Sequence, residues 1–339
     1  MMVIGCVLKN WLGDVVFSSA AIRVIRQNFP TAKIVCMAPG RCLPILEANP
    51  NVDEVIPFDE RSEQRGIIAK LKLIGQLRQF KFDHVYLFHR SFTRALMVWL
   101  SGAKQRIGYN TKGRGFLLTR SISEPKEKMH AVDWALELIR RSGLPVTTDA
   151  LYDFYFTKED LKKVKELLSK VGAGPGRLVA LNPGANWFPK RWPVERFRDL
   201  AAELVRRYDV QVIVAGAQND KALSDTIVAG ARDPRVFSLA GQTQLRELGA
   251  LFSLCSLVIS SDSGPLHIAG GAGAHVLGMF GPTDPAITGP RGHGKNVVIH
   301  YVPEGEKVPW FGNRFPKNGW MEHISVEEVL KTIEREKLL

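Results

Sequence analysis

The stretch VIGCVLKNWLGDVVFSSAAIRVI (residues 3–25) decides the fold class. Its first six residues are an apolar run with the length of a buried strand. From Asp14 to residue 28 the apolar side chains recur on one helical face, and Pro30 ends that pattern. A buried strand that passes directly into a helix is the opening unit of a parallel α/β sheet.

The same alternation continues along both halves of the chain. In the first half it predicts further strands at 34–38, 55–57, 84–88 and 106–109, then a basic loop at 112–120 and a helix at 132–141. In the second half it predicts strands at 178–181, 210–215, 236–239, 257–260 and 276–280, with helices between them. The pattern indicates an α/β protein with two doubly wound, Rossmann-like domains.

A chain of 339 residues has room for two such domains. We place the first domain at 1–155 and the second at 156–322, and we expect a last helix within 323–339 to pack back on the first domain. Ligands of doubly wound sheets bind outside the carboxyl ends of the strands, so we expect the site in a cleft across which the two domains face each other.

The charge and the cysteine content of the chain indicate the kind of partner that it binds and the cellular compartment in which we expect it. There are 46 Lys and Arg against 34 Asp and Glu, a net charge of +12, which indicates an anionic partner or substrate. The four cysteines form no Cys-x-x-Cys pair, which argues against the usual zinc spacings and against a disulfide framework. Since the sequence also shows no signal-peptide pattern and no apolar run of about 18 residues, we expect a cytoplasmic protein.

The first candidate site follows the first strand, between Lys9 and Asp14. Gly13 could turn tightly there, while Asp14 stands at a helix N-terminus that favours an ionised carboxylate. Facing a cleft, this carboxylate could act as a general base. The alternative is that Asp14 only caps the helix.

The second candidate site is the stiff loop LNPGANWFPKRWP (residues 181–193), at the end of a strand in the second half. Lys190 could bind a phosphate while Asn182 and the Gly184 backbone donate further hydrogen bonds. The alternative is that Trp187 and Trp192 pack the loop and that Lys190 is only solvated.

The third candidate site, SSDSGPLH (residues 260–267), runs from a strand into a helix that has Pro265 at its first position. The backbone N–H groups of Ser263 and Gly264, together with the helix dipole, form an anion site suited to a pyrophosphate, which His267 could also face. The alternative is an ordinary helix cap. A weaker signal is Gln218, at the end of another strand, where a ribose could bind.

Other sequence signals exclude or weaken several enzyme classes. No Gly-x-Gly-x-x-Gly follows the first strand, and neither a P-loop nor a Gly-x-Ser-x-Gly elbow is present. The His, Asp and Cys residues show no metal-ligand spacing. Basic residues gather in the first half at 61–65, 90–94 and 104–120. They would suit a multiply anionic acceptor, either nucleic acid or a phosphorylated lipid, unless they are simply solvated.

Together the motifs resemble the ADP-heptose:lipopolysaccharide heptosyltransferases, glycosyltransferase family 9, over nearly the whole chain. The motifs that carry the resemblance are Gly13-Asp14-Val15, Asn182-Pro183-Gly184-Ala185 with Lys190-Arg191-Trp192-Pro193, and Ser261-Asp262-Ser263-Gly264-Pro265-Leu266-His267 followed by Phe280-Gly281-Pro282-Thr283-Asp284-Pro285. Within the family, the Lys-Arg-Trp-Pro run and Met37-Ala38-Pro39 are most similar to the heptosyltransferase II branch.

The resemblance implies a GT-B architecture in which the first domain binds the acceptor and the second binds ADP-heptose. It implies an inverting, metal-independent transfer of heptose to the inner core of lipopolysaccharide, with heptosyl-Kdo2-lipid A as the acceptor and no cofactor beyond the donor substrate. The expected partners are therefore the nucleotide sugar, the phosphorylated acceptor and the cytoplasmic face of the inner membrane, and not nucleic acid.

The resemblance also implies a role for individual residues. Asp14 matches the base and Lys190 the phosphate-binding lysine, and we treat both as catalytic. The other donor-binding residues it implies are Asn182, Gly184, Ala185, Asn186, Gln218, Thr243, Asp262, Ser263, Gly264 and His267. For the acceptor we expect Lys9, Asn10, Trp11, Gly13 and Arg90. Gln218 stands where relatives often carry a carboxylate that holds the ribose, and Ala185 lacks a hydroxyl found in some of them.

Two other functions fit the same residues. One is a GT-B transferase that uses another nucleotide sugar or another acceptor. The other is a non-catalytic nucleotide-binding module, which would need no base at Asp14.

Overall fold

The computed structural model describes residues 1–60, 62, 64–309 and 319–339. These residues form two compact units, Met1–Tyr152 (unit 1) and Asp153–Leu339 (unit 2). The boundary falls three residues before the position predicted from the sequence. Each unit has its own sheet and is described by itself.

Unit 1 is built on a six-stranded sheet in which every strand is parallel to its neighbours. Its strands are β1 (Val3–Val7), β2 (Lys33–Ala38), β3 (Glu54–Pro57), β4 (His84–Leu87), β5 (Gln105–Tyr109) and β6 (Arg120–Ile122). Its helices are α1 (Leu12–Asn28), α2 (Pro44–Glu47), α3 (Ile67–Phe80), α4 (Phe92–Leu100) and α5 (Ala131–Arg141). The strand order β3-β2-β1-β4-β5-β6 reverses direction between β1 and β4.

The central strands of unit 1 are buried on both faces, which is why β1 and β2 are continuous apolar runs without alternation. Helix α1 is buried without interruption from Val15 to Ile22, and α5 packs against it. Helices α3 and α4 pack against each other, and their core residues include Leu73, Leu77 and Val98. Ligands of such a doubly wound sheet bind outside the carboxyl ends of its strands.

Unit 2 repeats the arrangement with a second parallel sheet, in the order β12-β11-β10-β7-β8-β9. Its strands are β7 (Leu178–Asn182), β8 (Gln211–Val214), β9 (Val236–Ser238), β10 (Cys255–Ser261), β11 (His275–Phe280) and β12 (Asn296–His300). Its helices are α6 (Lys158–Lys170), α7 (Val194–Tyr208), α8 (Lys221–Ala231), α9 (Leu245–Ser253), α10 (Gly264–Gly271), α11 (Pro285–Thr288) and α12 (Val326–Glu336). Here the order reverses between β7 and β10. The prediction of two doubly wound α/β domains is confirmed.

The last helix, α12, corrects one expectation. Instead of packing back on the first domain, its apolar face of Val329, Leu330 and Ile333 belongs to the core of unit 2. The helix lies against α7, and Arg207 on α7 pairs with Glu327 at 3.3 Å. Burial of these three side chains beside α7 explains why the helix stays with the second unit.

Two strands are not predicted by the apolar pattern. Both β6 and β12 are edge strands, and short, partly polar edge strands give only a weak periodic signal. Within the described residues, no helix combines the length and the apolar composition that crossing a bilayer requires.

Candidate active site

Each unit places its candidate residues at the point where its strand order reverses. In unit 2, β7 ends at Asn182 and the neighbouring β10 ends at Ser261. In unit 1, β1 and β4 end beside each other, just before Lys9 and His89. Ligands of doubly wound sheets bind at such reversals, so each unit has one candidate site.

In unit 2, a buried amide connects the two strand ends. Asn182 Nδ2 donates to the Gly184 carbonyl and to Ser260 Oγ, both at 3.0 Å. The Ser260 hydroxyl lies 3.0 Å from that of Ser263. Asn182 is almost fully buried, so its role in the structure is to hold the second and third candidate loops together.

Lys190 and Asp262 form the charged centre of the unit 2 site, and His267 lies beside them. Lys190 Nζ lies 2.6 Å from Asp262 Oδ2, and His267 Nε2 lies 3.7 Å from Oδ1. Burial alone would raise the pKa of Asp262, but the neighbouring His267 and the Lys190 ammonium outweigh it and lower that pKa to about 2. The buried carboxylate therefore stays ionised and fixes the position of the Lys190 ammonium.

Helix α10 begins directly after this carboxylate. It starts at Gly264 with Pro265 in its first turn, and the preceding Ser263 makes no side-chain capping bond to it. The Ser263 hydroxyl contacts Ser260 instead. The alternative of an ordinary side-chain cap is therefore wrong, and the helix N-terminus keeps donors and a positive dipole end for an anion.

The second candidate loop, before α7, has features of both interpretations made from its sequence: one tryptophan packs it, and Lys190 belongs to a charged pair. Trp192 is buried, donates from Nε1 to the Ile324 carbonyl at 2.9 Å, and packs edge-on against Phe197. Arg191 Nε donates to the Ala185 carbonyl at 2.8 Å. The loop is thus packed by Trp192, while Lys190 is held by Asp262 and is not merely solvated. Ala185 is buried and Asn186 is exposed.

The loop after β8 contributes a carboxylate, Asp220, that is not among the residues predicted from the sequence. A Cβ on Gly184 would collide with the Asp220 carboxylate, so this acid lies against the second candidate loop. Asp220 Oδ2 also accepts the Ala217 backbone N–H at 3.0 Å. The signal was available, because Asp220 is only two residues after Gln218 in the same loop.

Gln218 and Thr243 lie on two adjacent loops. Gln218 is exposed, and its side chain lies against Gly241, whose backbone N–H donates to the Gly216 carbonyl at 3.0 Å. The positive φ of 77° at Gly241 and this close approach both favour glycine. Thr243 follows, half-buried, just before α9.

In unit 1, Asp14 is accessible and paired. Its Oδ1 lies 3.1 Å from Lys9 Nζ, and 22% of its side chain is exposed. Trp11, and not Asp14, occupies the N-cap position of α1, so the interpretation of Asp14 as a simple cap is wrong. The predicted tight turn at Gly13 is also wrong, because Gly13 lies within the first helical turn.

Around Asp14, cations contact an aromatic ring. Lys9 Nζ lies 4.7 Å from the centroid of the Trp134 ring, and the Arg90 guanidinium lies 5.1 Å from it. Glu124 pairs with Arg90 and accepts the Trp134 indole N–H at 3.0 Å. The sequence gives no signal for Trp134, because an aromatic residue on an amphipathic helix has the pattern of an ordinary core residue.

Two other basic residues of the first half are buried, and their guanidinium groups donate hydrogen bonds to residues at or just after the ends of strands in unit 1. Arg94 is fully buried, donates to the Leu8 carbonyl at 2.8 Å and to Asn10 Oδ1 at 2.6 Å, and so fixes the end of β1. Arg114 is also fully buried and donates to the Tyr109 carbonyl at 3.0 Å. The idea that all three basic clusters face solvent is therefore wrong for these two residues. Arg61, in the first cluster, lies outside the described residues.

A further side chain at this edge, His89, was not predicted. Burial and the charges of Arg94 and Arg114 lower the pKa of His89 to about 3, so the ring is neutral near pH 7. Its Nδ1 accepts the Ser91 backbone N–H at 3.0 Å, which assigns the ring proton to Nε2. His89 thus adds a neutral donor beside the accessible Lys9 and Arg90.

No group of three or more His, Cys, Asp and Glu side chains able to hold a metal ion occurs in the part of the chain that the structure describes. The charged centre of each site is instead a Lys–Asp pair.

The chain is similar to known glycosyltransferases in its sequence and in its fold. The sequence profile of "Glycosyltransferase family 9 (heptosyltransferase)" matches residues 70–309. The chain is 27% identical over 322 residues to lipopolysaccharide heptosyltransferase 2 of Escherichia coli K12. This match covers 90% of this chain and 91% of that protein. It is 26% identical over 312 residues to lipooligosaccharide heptosyltransferase 2 of Haemophilus influenzae, with 88% of each chain covered.

Two solved structures share the fold over nearly the whole chain. The glycosyl transferase family 9 protein of Veillonella parvula superposes with a TM-score of 0.88 at 24% identity, covering 99% of this chain and 97% of that one. The ADP-heptose lipopolysaccharide heptosyltransferase II of Escherichia coli superposes with a TM-score of 0.80 at 25% identity, covering 100% and 98%.

Proposed function

The chain belongs to glycosyltransferase family 9, the heptosyltransferases, and from this premise we propose that it transfers heptose from ADP-heptose to the inner core of lipopolysaccharide. The relatives in Escherichia coli and Haemophilus influenzae favour the heptosyltransferase II reaction, with heptosyl-Kdo2-lipid A as the acceptor. The observation that carries the proposal is the anion site formed by Lys190 and the start of α10 at the strand reversal of unit 2.

In this proposal unit 2 binds the donor. Lys190 and the backbone N–H groups at the start of α10 hold the diphosphate and stabilise the negative charge that grows on it as the sugar leaves. Asp262 acts as a positioning residue, because its buried carboxylate holds Lys190 in place. With this positive charge supplied by the protein, the departure of ADP requires no metal ion.

The nucleoside end of the donor extends toward the loops after β8 and β9. A carboxylate can accept hydrogen bonds from both hydroxyls of a ribose, and Asp220 supplies one beside Gly184. Asp220 thus accepts the hydrogen bonds of the ribose hydroxyls, a role for which Gln218 offers only an amide. Thr243, half-buried on the adjacent loop, faces the adenine end in this arrangement.

Unit 1 receives the acceptor and supplies the base. Asp14 removes the proton from an acceptor hydroxyl, and the oxygen attacks the anomeric carbon from the face opposite ADP. The bond between that carbon and the diphosphate oxygen breaks, its electron pair leaves with ADP, and the configuration inverts. Lys9 holds the Asp14 carboxylate, while Arg90 and the exposed ring of Trp11 offer a charge and a stacking surface to a phosphorylated sugar.

The charge of unit 1 suits such an acceptor. Residues 1–152 contain 22 Lys and Arg against 13 Asp and Glu, a net charge of +9 out of the total of +12. A lipid-linked acceptor is met at a membrane surface, so we place the reaction at the cytoplasmic face of the inner membrane.

A product assay tests the proposal. The purified protein is given ADP-heptose together with lipopolysaccharide cores truncated at defined lengths, and the products are identified by mass spectrometry. We expect one heptose to be added to the heptosyl-Kdo2 core and none to the core that lacks the first heptose. Transfer from a different nucleotide sugar only would favour another GT-B transferase, and ADP binding without any transfer would favour a non-catalytic module.

A further inference from the structure

We propose that one edge of unit 1 docks on an anionic lipid bilayer through exposed apolar side chains, which we call the interfacial rim. The rim consists of Trp11, Ile67, Ile68, Leu71, Phe92 and Phe116. The inference rests on the proposed function in one respect, since it identifies the surface by which the enzyme would reach a lipid-linked acceptor.

These exposed apolar side chains are concentrated in one of the two units. Ile67 is 77% exposed, Ile68 73% and Phe116 75%. Apart from Met1 and Met2, eight large apolar side chains are exposed among the described residues, and seven of them belong to unit 1. Scattered exposed apolar residues need no explanation, but a group of them on one surface indicates an interaction site.

The topology places the rim residues at a single edge. Trp11 follows β1, Ile67 and Ile68 open the helix after β3, Phe92 opens the helix after β4, and Phe116 follows β5. In a parallel sheet the segments after all strands lie at the carboxyl edge. Asp14 lies at the same edge, because it also follows β1.

Contacts between these segments support the placement. The rings of Phe92 and Phe116 are 6.0 Å apart. The Ser91 hydroxyl donates to Glu60 Oε2 at 2.9 Å, which connects the start of α4 to the segment that leads into α3. Arg41 lies over the Trp11 ring at 5.9 Å.

The apolar surface of helix α3 is buried only in part. Leu73, Ile74 and Leu77 are buried in the core of unit 1, whereas Ile67, Ile68 and Leu71 are exposed in the first two turns. At about 100° per residue, positions 67, 68 and 71 fall within an arc of roughly 100°. This exposed sector adjoins the buried one, and it leaves apolar side chains at the start of the helix available to enter a membrane interface.

The charge around the rim favours a bilayer over an apolar protein partner. Exposed Arg65, Lys72, Arg90 and Lys112 lie on the rim segments or next to them. Lys and Arg side chains near an anionic membrane are attracted to it, and apolar side chains then enter the interface. Attachment through these side chains would be reversible and peripheral. It would bring Asp14 to the level of the lipid headgroups, where an acceptor sugar is anchored.

Vesicle sedimentation of the full chain tests the proposal. Vesicles that contain phosphatidylglycerol are compared with vesicles of phosphatidylcholine alone, for the wild type, the double variant Ile67→Ser/Ile68→Ser and the control Trp99→Ser. Trp99 is a matched control because it is 47% exposed in the same unit but lies in the last turn of α4, at the other end of the helix layer. Thermal unfolding of each variant checks that it is folded.

We expect the wild type and Trp99→Ser to sediment with the anionic vesicles, and the double variant to partition about tenfold more weakly. Binding of the wild type should also fall steeply at about 1 M salt. Equal sedimentation of the double variant and the wild type would overturn the proposal. Failure of the wild type to bind anionic vesicles would do the same, and would leave a protein partner for the rim.

An activity measurement separates this inference from the proposed function. With a deacylated, water-soluble acceptor, the double variant should transfer heptose at the wild-type rate, whereas with an acceptor embedded in vesicles it should be slower. If no protein transfers heptose to either acceptor, the proposed function fails and the vesicle result still decides the docking surface. Equal rates of double variant and wild type on the embedded acceptor would count against the rim.

Discussion

The two strand reversals carry the same pair of side chains in different surroundings. In unit 1, Lys9 and Asp14 are 3.1 Å apart and about a quarter of each side chain is exposed. In unit 2, Lys190 and Asp262 are 2.6 Å apart and Asp262 is only 5% exposed. A carboxylate must be reachable to accept a proton from a substrate, whereas a buried one is better suited to hold a neighbour in place. Within the proposed function, this difference in accessibility favours Asp14 for proton transfer and Asp262 for positioning.

The largest expected effect of a change in either pair is on the turnover rate of heptose transfer. We expect Asp14→Asn to lower kcat roughly a thousandfold, because a positioned general base contributes about 10²–10⁴-fold. The measurement is the initial rate of heptose transfer at saturating donor. Asp199→Asn, on the exposed surface of α7, is the control and should keep the wild-type rate. A rate for Asp14→Asn within a few-fold of the wild type would remove Asp14 from the role of base.

The two lysines should differ in their effect on stability. Lys190→Met leaves the Asp262 carboxylate buried without its cation, and we expect a loss of about 3 kcal/mol in the free energy of unfolding. The same change at Lys9, beside the more accessible Asp14, should cost less than about 1 kcal/mol. Chemical denaturation of both variants measures the difference. Equal losses would contradict the distinction drawn between the two pairs.

The low pKa of Asp262 predicts a pH dependence of stability. Because that pKa is about 2 in the folded protein and about 3.9 in an unfolded chain, the ionised form stabilises the fold. This contribution, roughly 2.6 kcal/mol, is complete above about pH 5 and is lost progressively as the pH falls from there to below 2. The gap in unfolding free energy between the wild type and Asp262→Asn should narrow over that range. A gap that does not change with pH would show that the carboxylate gains nothing from its ionised form.

The smallest expected effect is on the affinity for ADP, through the contact that we propose with its ribose. Asp220→Asn keeps the shape of the side chain but removes its charge, and we expect ADP to bind about five- to tenfold more weakly, as for one charge-assisted hydrogen bond. Gln218→Ala, in the same loop, should change ADP affinity by less than about twofold. Calorimetric titration of both variants with ADP decides between the two side chains, and a larger loss for Gln218→Ala would reverse the assignment.

Much of the fold follows from local patterns, because buried parallel strands such as β1 and β7 are continuous apolar runs between amphipathic helices. Edge strand β6 is missed because only one of its three residues is buried. The partner of α12 could not be predicted either, since an amphipathic helix shows which face is buried but not against what.

The candidate site was predictable to the level of loops and less so to the level of contacts. Lys190 and Asp262 are 72 positions apart in the sequence, and only the neighbouring β7 and β10 bring them together. For the same reason the burial of Arg94 and the closeness of Asp220 to Gly184 are properties of the tertiary structure. Charge clusters in a sequence do not distinguish a guanidinium that supports a loop from one that meets a ligand.

The most direct test of the division between the two pairs is the affinity for ADP, measured by calorimetric titration of the wild type, Asp14→Asn and Lys190→Met. We predict that Asp14→Asn binds ADP as tightly as the wild type and that Lys190→Met binds it at least about tenfold more weakly. Undiminished affinity in Lys190→Met, or an equal loss in both variants, would contradict the account.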